Sequence, residues 1–188
     1  MNKTQRRWRA LAISLVFGLS IISPLTVNHA SPLPERKADP ASLINSITFD
    51  DPEAVFETAR IVHNVEVDGE KGMRVHAKFQ VKYGKGTPCM MIAYFYYDDS
   101  DNSPLKASSE AEYRGYRTVT GNVSSTSNFT PAYDPAVYND LQLFIPYNAL
   151  NMESGNSYDL KFYLSLYDKS GKRSFGKSGW FRFKLNMP

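Results

Sequence analysis

Residues 73–97 read MRVHAKFQVKYGKGTPCMMIAYFYY, and this stretch decides the class of fold. Its first half alternates between apolar residues and basic or amide residues. The apolar positions are Met73, Val75, Ala77, Phe79 and Val81. A period of two with one polar side is typical of an antiparallel sheet that is buried on one face and solvated on the other. Residues 89–97, which follow a glycine-containing turn, are apolar at nearly every position and predict a central strand.

Further alternating segments extend this pattern along the chain. They lie at residues 61–67, 141–145, 158–166 and 180–185, and Asp68-Gly69 supplies a tight hairpin turn after the first. Residues 112–123 predict a weaker strand, and residues 124–140 predict a loop rich in Ser, Thr, Asn and Pro. About seven strands without a useful amphipathic helix indicate an all-β, two-sheet antiparallel β-sandwich. It is immunoglobulin-like in architecture only, because the paired cysteines around a buried Trp are missing.

The N-terminus has the pattern of a secretory signal peptide. Four basic residues precede an apolar run from Ala10 to Ile22, and small residues favour cleavage after Ala30. Residues 31–58, which begin with a Pro-rich charged stretch, predict a flexible tether or an extended arm. The predicted sandwich domain spans residues 59–188. We therefore expect an exported protein, periplasmic or extracellular, with no membrane span after the signal is cleaved.

Removal of the predicted signal changes the charge balance. The full chain has 22 Lys and Arg against 19 Asp and Glu, whereas without residues 1–30 it has 18 against 19. The basic character thus belongs to the export signal and gives no support to nucleic-acid binding. Cys89 is the single cysteine, so no intramolecular disulfide can form. Its place at the start of an apolar strand favours a buried residue over a reactive thiol.

Five segments carry a resemblance to a known kind of module. They are HNVEVDGEKGMRVHAKF (63–79), MIAYFYYDD (91–99), FTPAYD (129–134), LQLFIPYNAL (141–150) and YDLKFYLSLYD (158–168). Together they resemble an uncharacterised bacterial β-sandwich module that occurs in exported or multidomain proteins. The shared residues belong to strands and turns. The resemblance therefore implies the fold and a bacterial, exported setting, and it carries no catalytic motif.

An acidic segment, DDSDNSPLKASSE (98–110), raises the question of a calcium site. Its acidic residues have nearly the spacing of an EF-hand loop, but Pro104 stands where that loop needs glycine, and strands flank it. A simpler calcium site could use Asp98, Asp99 and Asp101. The alternative is an acidic turn in which Asp, Asn, Ser and Pro do ordinary turn work. No other cofactor is expected.

Aromatic residues give the strongest indication of a binding surface. Because one parity of residues 94–97 must face the core, the other parity would place Tyr94 and Tyr96 on an outer face. Tyr163 and Tyr167 of a later strand would join them. Such a face is suited to sugars or to protein partners. The alternative is that residues 124–140 cover these rings with Phe129, Tyr133 and Tyr138.

No motif for nucleophilic, metal-dependent or phosphate chemistry occurs in the sequence. We therefore expect a non-catalytic module with a binding or structural role in the cell envelope or outside the cell, acting on a protein or polysaccharide partner. One alternative is a carbohydrate-binding module that uses the aromatic face, with or without calcium. A second alternative is an enzyme whose two carboxylates meet only in space.

Overall fold

The computed structural model describes residues 50–188. Its eight strands are β1 (Glu53–Val67), β2 (Glu70–Lys82), β3 (Cys89–Tyr97), β4 (Ser124–Phe129), β5 (Ala136–Pro146), β6 (Ser157–Asp168), β7 (Arg173–Lys177) and β8 (Phe181–Asn186). Two short 3₁₀ helices, Ala111–Tyr116 and Tyr147–Ala149, complete the regular structure of this part of the chain. No helix within residues 50–188 has the length and apolar character that crossing a bilayer requires.

The strands form two antiparallel sheets that pack face to face. The first has the order β1-β2-β5, and the second has the order β4-β3-β6, with β7 and β8 both paired to the far edge of β6. The prediction of an all-β sandwich is confirmed, with eight strands in place of about seven. The predicted hairpin turn is also present, because Asp68 and Gly69 both have positive φ values, as a two-residue turn between twisted strands requires.

The core lies between the two sheets and follows the predicted alternation. All five apolar positions of β2 named above are at most 1% exposed. Cys89, Met91, Ala93 and Phe95 of β3 face them from the second sheet and are equally buried. Phe79 stacks on Tyr138 with ring centroids 4.8 Å apart. Burial of this continuous apolar layer is the main source of stability, since no disulfide is available among these residues.

Three segments differ from the sequence-based prediction. β1 begins at Glu53, so residues 53–58 belong to a strand and lie inside the predicted tether. The predicted strand at 112–123 is wrong: a 3₁₀ helix and single bridges occupy this segment, whose backbone forms short-range hydrogen bonds such as those from Tyr113 to Glu110 and from Gly121 to Thr118. The predicted signal peptide, residues 1–30, and the tether up to residue 49 lie outside the described residues.

The predicted loop at 124–140 contains strand β4 and the beginning of β5. The β4 sequence SSTSNF has little apolar character, and its first two serines are nevertheless buried. The hydroxyl of Ser125 donates to the carbonyl of Phe144 in the other sheet at 2.7 Å. A buried hydroxyl is tolerated when it has such a partner. This strand therefore joins the two sheets through a hydrogen bond that cannot be predicted from the hydrophobic pattern of the sequence.

Candidate ligand-binding cleft

An aromatic cluster lies on the outer face of the second sheet. Its four members are Tyr94 and Tyr96 of β3, Tyr163 of β6 and Trp180, which lies between β7 and β8. Alternation fixes the two β3 tyrosines on this face, because Ala93 and Phe95 point into the core. Tyr94 and Tyr163 are direct partners in the β3–β6 register. Strand pairing therefore sets the spacing of the rings.

The rings of the aromatic cluster contact one another in a continuous array. Tyr163 stacks on Tyr94 at 5.1 Å and on Tyr96 at 5.9 Å between ring centroids. Trp180 meets Tyr96 at 5.1 Å and Tyr163 at 5.3 Å, in both cases nearly edge to face. These distances are within the range that favours aromatic pairs. The tyrosines are partly buried by this packing, and Trp180 is 39% exposed at the rim.

A cleft of about 240 Å³ opens beside the aromatic cluster. Tyr94, Tyr96 and Tyr163 line one side, and the loop after the first 3₁₀ helix supplies Thr118, Thr120 and Asn122 on the other. Gly121, with φ +77°, makes the turn that brings this loop back. The lining therefore combines an aromatic wall, formed by the three tyrosines, with a polar wall, formed by Thr118, Thr120 and Asn122, and small-molecule sites likewise combine apolar surface with a few placed polar groups.

Hydrogen bonds within the polar wall fix its side chains. The hydroxyls of Thr118 and Thr120 lie 2.9 Å apart, and the amide of Asn122 donates to the Thr120 hydroxyl at 3.2 Å. The backbone N–H of Asn122 donates to the Thr118 hydroxyl at 3.1 Å, and the ammonium of Lys106 donates to the Asn122 side-chain oxygen at 2.8 Å. The polar wall is therefore held in one arrangement before any ligand binds.

The environment of the aromatic cluster favours the neutral form of two of its phenols, those of Tyr163 and Tyr94. Burial raises the pKa of Tyr163 to about 12, and its hydrogen bond with Tyr96 adds to this effect. Burial also raises the pKa of Tyr94, with a smaller contribution from Tyr96. These hydroxyls are therefore uncharged at neutral pH. In that form each can donate as well as accept a hydrogen bond.

A buried lysine supports the outer edge of the aromatic cluster. Lys161 is only 4% exposed, although it lies on the outer face of the sheet. Its ammonium donates to the backbone carbonyl of Asp99 at 3.1 Å, lies 3.3 Å from the Asp98 carboxylate, and is 5.2 Å from the centre of the Trp180 ring. Asp98 also pairs with Arg182 at 3.0 Å. Lys161 therefore connects the acidic loop to the rim of the cleft.

The three aspartates of the proposed calcium site each have a separate partner. Asp98 pairs with the two cations just described. The Asp99 carboxylate accepts the backbone N–H of Ser103 at 2.9 Å, and this bond is the main reason that its pKa is lowered. Asp101 accepts the hydroxyl of Ser100 at 3.3 Å. Within residues 50–188 no three acidic, His or Cys side chains are grouped as metal ligands. Calcium binding at this loop stays a prediction.

The structure brings together most of the predicted ligand face and adds residues that sequence reasoning missed. Tyr94, Tyr96 and Tyr163 meet, whereas Tyr167, four residues further along β6 on the same face, stacks on no ring of the aromatic cluster within the described chain. The covering loop is not seen here, because Phe129 and Tyr138 pack on Phe79 in the core. The residues missed are Trp180, Thr118, Thr120, Asn122 and Lys161. They lie within the segments predicted as strands at residues 112–123, 158–166 and 180–185, but strand periodicity does not say which segments meet, so only folding brings them to the site.

Two other clefts lie on the surface of the described domain. One, of about 310 Å³, is lined by Glu110 and Glu112 beside Tyr113 and Asn148. Glu110 and Glu112 are the acidic residues that line this cleft. A glycoside-cleaving enzyme that used this cleft would need them as its pair of carboxylates. The other lies on the first sheet, where the His76 ring nitrogen is 2.6 Å from the Asp140 carboxylate. A hydrogen bond from Gln142 and the pairing with His76 lower the pKa of Asp140.

Cys89 is buried, as predicted, at the start of β3. Its thiol donates to the carbonyl of Thr87 at 3.3 Å. Burial, aided by the nearby negative charge of Asp168, raises the pKa of this thiol to about 11. The thiol is therefore protonated at neutral pH, which removes the nucleophilic form of cysteine.

The sequence matches no model of a known protein family, and a search of curated proteins likewise gave no match. The resemblance to a bacterial exported module therefore rests on the strand and turn residues that carry it. Function has to be argued from the geometry of the cleft.

Proposed function

We propose that this protein is an exported, non-catalytic binding module that takes a carbohydrate in the cleft beside the aromatic cluster. The observation that carries the proposal is the juxtaposition of Tyr94, Tyr96 and Tyr163 with the fixed amide of Asn122 and the two threonine hydroxyls. A sugar ring has apolar C–H faces and polar hydroxyls. It therefore matches a site that offers rings on one side and small polar groups on the other.

The dimensions of the cleft support a glycan ligand. A volume of about 240 Å³ is slightly below the usual range of about 300–1,000 Å³ for small-molecule sites, so it suits one sugar unit and not a large cofactor. Trp180, at the exposed rim, extends the aromatic surface beyond the cleft. A longer chain could therefore continue across the sheet. This geometry favours a polysaccharide over an isolated monosaccharide.

A protein partner in the cell envelope is the second candidate. Val119 is fully exposed in the loop that carries the polar wall, and Trp180 is exposed between β7 and β8. Tryptophan and tyrosine are enriched among the residues that dominate protein interfaces. Such a partner would use the loop tip and the rim, whereas a sugar would enter the cleft.

The test is a thermal-melt and calorimetry screen of the purified protein against soluble glucan, xylan, mannan and chitin oligosaccharides. A ligand that binds only the native state must raise its apparent stability. We expect Tyr96→Ala and Asn122→Ala to weaken binding by about tenfold each, since each removes a residue that lines the cleft. Tyr133→Ala is the matched control, because Tyr133 is 75% exposed and lies outside the cleft lining.

Two results would overturn the carbohydrate proposal. One is the absence of any shift in melting temperature with every glycan in the panel. The other is an equal loss of binding in Tyr133→Ala, which would show that contact is not made through the cleft. Binding of a protein partner that depends on Val119, without glycan binding, would favour the second candidate. The enzyme alternative requires product formation from one of these glycans and loss of that activity in Glu110→Gln or Glu112→Gln.

Export and calcium assistance are further parts of the proposal. Export predicts that the protein recovered from the periplasm or medium begins at Ser31, which N-terminal sequencing can check. Calcium assistance predicts that calcium raises the melting temperature or the glycan affinity and that EDTA reverses the effect. Because millimolar calcium is available outside the cytosol, even a weak site would be occupied there. If neither calcium nor EDTA changes the melting temperature or the glycan affinity, calcium is removed from the proposal.

A further inference from the structure

Two lysines flank the cleft, one on each side. Lys106 is exposed and holds the side-chain oxygen of Asn122 on the polar wall at 2.8 Å. Lys177 is exposed on β7, and its ammonium lies 4.2 Å from the centre of the Tyr163 ring on the aromatic wall. Positive charge therefore lies beside both a polar and an aromatic residue of the cleft lining.

These two ammonium groups are available to a ligand. Neither forms an ion pair with a carboxylate among residues 50–188, where the ion pairs involve other cations. An ammonium has three N–H donors, and Lys106 gives one to Asn122, which leaves two. Lys177 contacts the face of an aromatic ring, an arrangement that attracts a cation without neutralising it.

No negative charge opposes them at the cleft. None of the eight residues that line it is acidic. The aspartate of the nearby loop, Asp98, is already paired with Lys161 and Arg182. The described part of the chain as a whole has 16 Lys and Arg against 17 Asp and Glu. The positive charge at the cleft is therefore a local feature and does not reflect a generally basic surface.

We propose that the cleft selects an anionic polysaccharide, one whose sugar units carry carboxylate, sulfate or phosphate groups. This inference rests on the proposed carbohydrate function and names its ligand class. A sugar unit against the tyrosines would place its substituents near Lys177 on one side and Lys106 on the other. Each ammonium would then donate charge-assisted hydrogen bonds, which are stronger than the neutral bonds available from the threonines.

The local character of the charge favours a glycan over a nucleic acid. Proteins that bind nucleic acid through the phosphate backbone present a basic stripe or an overall basic domain. Here two lysines stand at one cleft in a domain of nearly balanced charge. That arrangement matches a ligand with one negative charge per sugar unit.

The test compares charged and neutral polymers on the full-length protein. The probes are polygalacturonate for carboxylate, dextran sulfate for sulfate, a phosphorylated mannan for phosphate and unmodified dextran and mannan as neutral partners. The variants are Lys106→Gln, Lys177→Gln and the double variant, and Lys82→Gln is the matched control. Lys82 is exposed on the first sheet, whereas Lys106 and Lys177 each contact a residue that lines the cleft, and the loss of Lys82 changes the net charge by the same amount.

We expect at least one anionic polymer to bind more tightly than its neutral partner, with an affinity that falls as salt is raised. Each single variant should weaken that binding about threefold to fivefold and the double variant about tenfold or more. Lys82→Gln should have no effect. The polymer that responds identifies which anionic group is recognised.

The outcomes separate this inference from the proposed function. Binding of neutral glycans alone, or an equal loss in Lys82→Gln, would overturn the inference and leave the carbohydrate function standing. Failure of every glycan would overturn both. Binding of a single-stranded oligonucleotide as tightly as the best anionic glycan would overturn the inference in favour of nucleic acid.

Discussion

Replacing Asp98 with alanine should destabilise the protein more than replacing the lysine it pairs with. Asp98→Ala leaves the ammonium of Lys161 in a position that is 4% exposed, with only the Asp99 carbonyl and the Trp180 ring as partners. A buried charge without its counter-ion is strongly unfavourable. Lys161→Met has a different result, because Asp98 keeps Arg182 at 3.0 Å and is itself 25% exposed to water.

The magnitudes follow from these contacts. Removal of one partner of a fully buried pair costs about 3–5 kcal/mol, and the remaining carbonyl and ring contacts of Lys161 reduce this to about 2–3 kcal/mol. Lys161→Met should cost less than about 1 kcal/mol, since methionine fills the same space and the remaining carboxylate stays paired. In a domain of this size about 1 kcal/mol corresponds to roughly 3 °C in melting temperature. Asp98→Ala should therefore melt roughly 6–9 °C below the parent.

The assay is urea unfolding followed by circular dichroism for the parent, both single variants and the double variant. In the double variant, Asp98→Ala should cost much less than it does alone, because no buried ammonium remains to be left unpaired. The reasoning fails if Asp98→Ala and Lys161→Met are equally destabilising, or if the two effects simply add. Either result would mean that water reaches the ammonium and that Lys161 does not support the rim of the cleft.

Three further predictions concern the core, the thiol and the pH dependence. Phe79→Ala should cost about 3–5 kcal/mol in the free energy of unfolding, whereas Val119→Ser should stay within about 0.5 kcal/mol, as urea titration can measure. The Cys89 thiol, with its pKa near 11, should react with an aromatic disulfide reagent at least about 100-fold more slowly in the native state than in denaturant, and equal rates would contradict its burial. Tyr163 has a pKa of about 12 in the fold against an ordinary 10.0, so the native state favours the neutral phenol. The stability that the neutral Tyr163 phenol contributes is fully present below pH 10 and is lost as the pH rises from 10 to 12. The free energy of unfolding of Tyr163→Phe should therefore fall less than that of the parent across that window.

The sequence predicted the sheet regions well because their signal is local. In β2 the alternation of apolar and basic residues is imposed by one buried face, and every apolar position is in the core. β4 could not be predicted in this way. Its first two serines are buried, and Ser125 forms a hydrogen bond to the other sheet. Without knowledge of that bond, the polar sequence of the segment predicts a loop. The strand predicted at residues 112–123 failed for the opposite reason, because residues 111–116 close into short-range turns.

The candidate site shows the same division. The parity of β3 placed Tyr94 and Tyr96 on the outer face, and the pairing with β6 brought Tyr163 beside them. Trp180 and Asn122 lie in segments predicted as strands, but their places at the site could not be predicted, because these places depend on how the chain returns to the sheet. Tyr167 lies on the same face of the sheet but outside the aromatic cluster. Alternation fixes the face on which a side chain lies but does not fix its distance from other rings along the strand.

The cleft thus combines two kinds of positioning. Cross-strand neighbours lie about 5 Å apart, and this spacing holds Tyr94 and Tyr163 as rigid aromatic groups at little entropic cost. The polar wall is fixed by its own hydrogen bonds and by the turn at Gly121. Because the rings belong to the sheet and the polar groups to a loop, substitutions at Thr118, Thr120 or Lys106 can change the ligand without disturbing the core. Affinity from the rings and selectivity from the loop and the two lysines are therefore separable properties, and the variants proposed above act on each in turn.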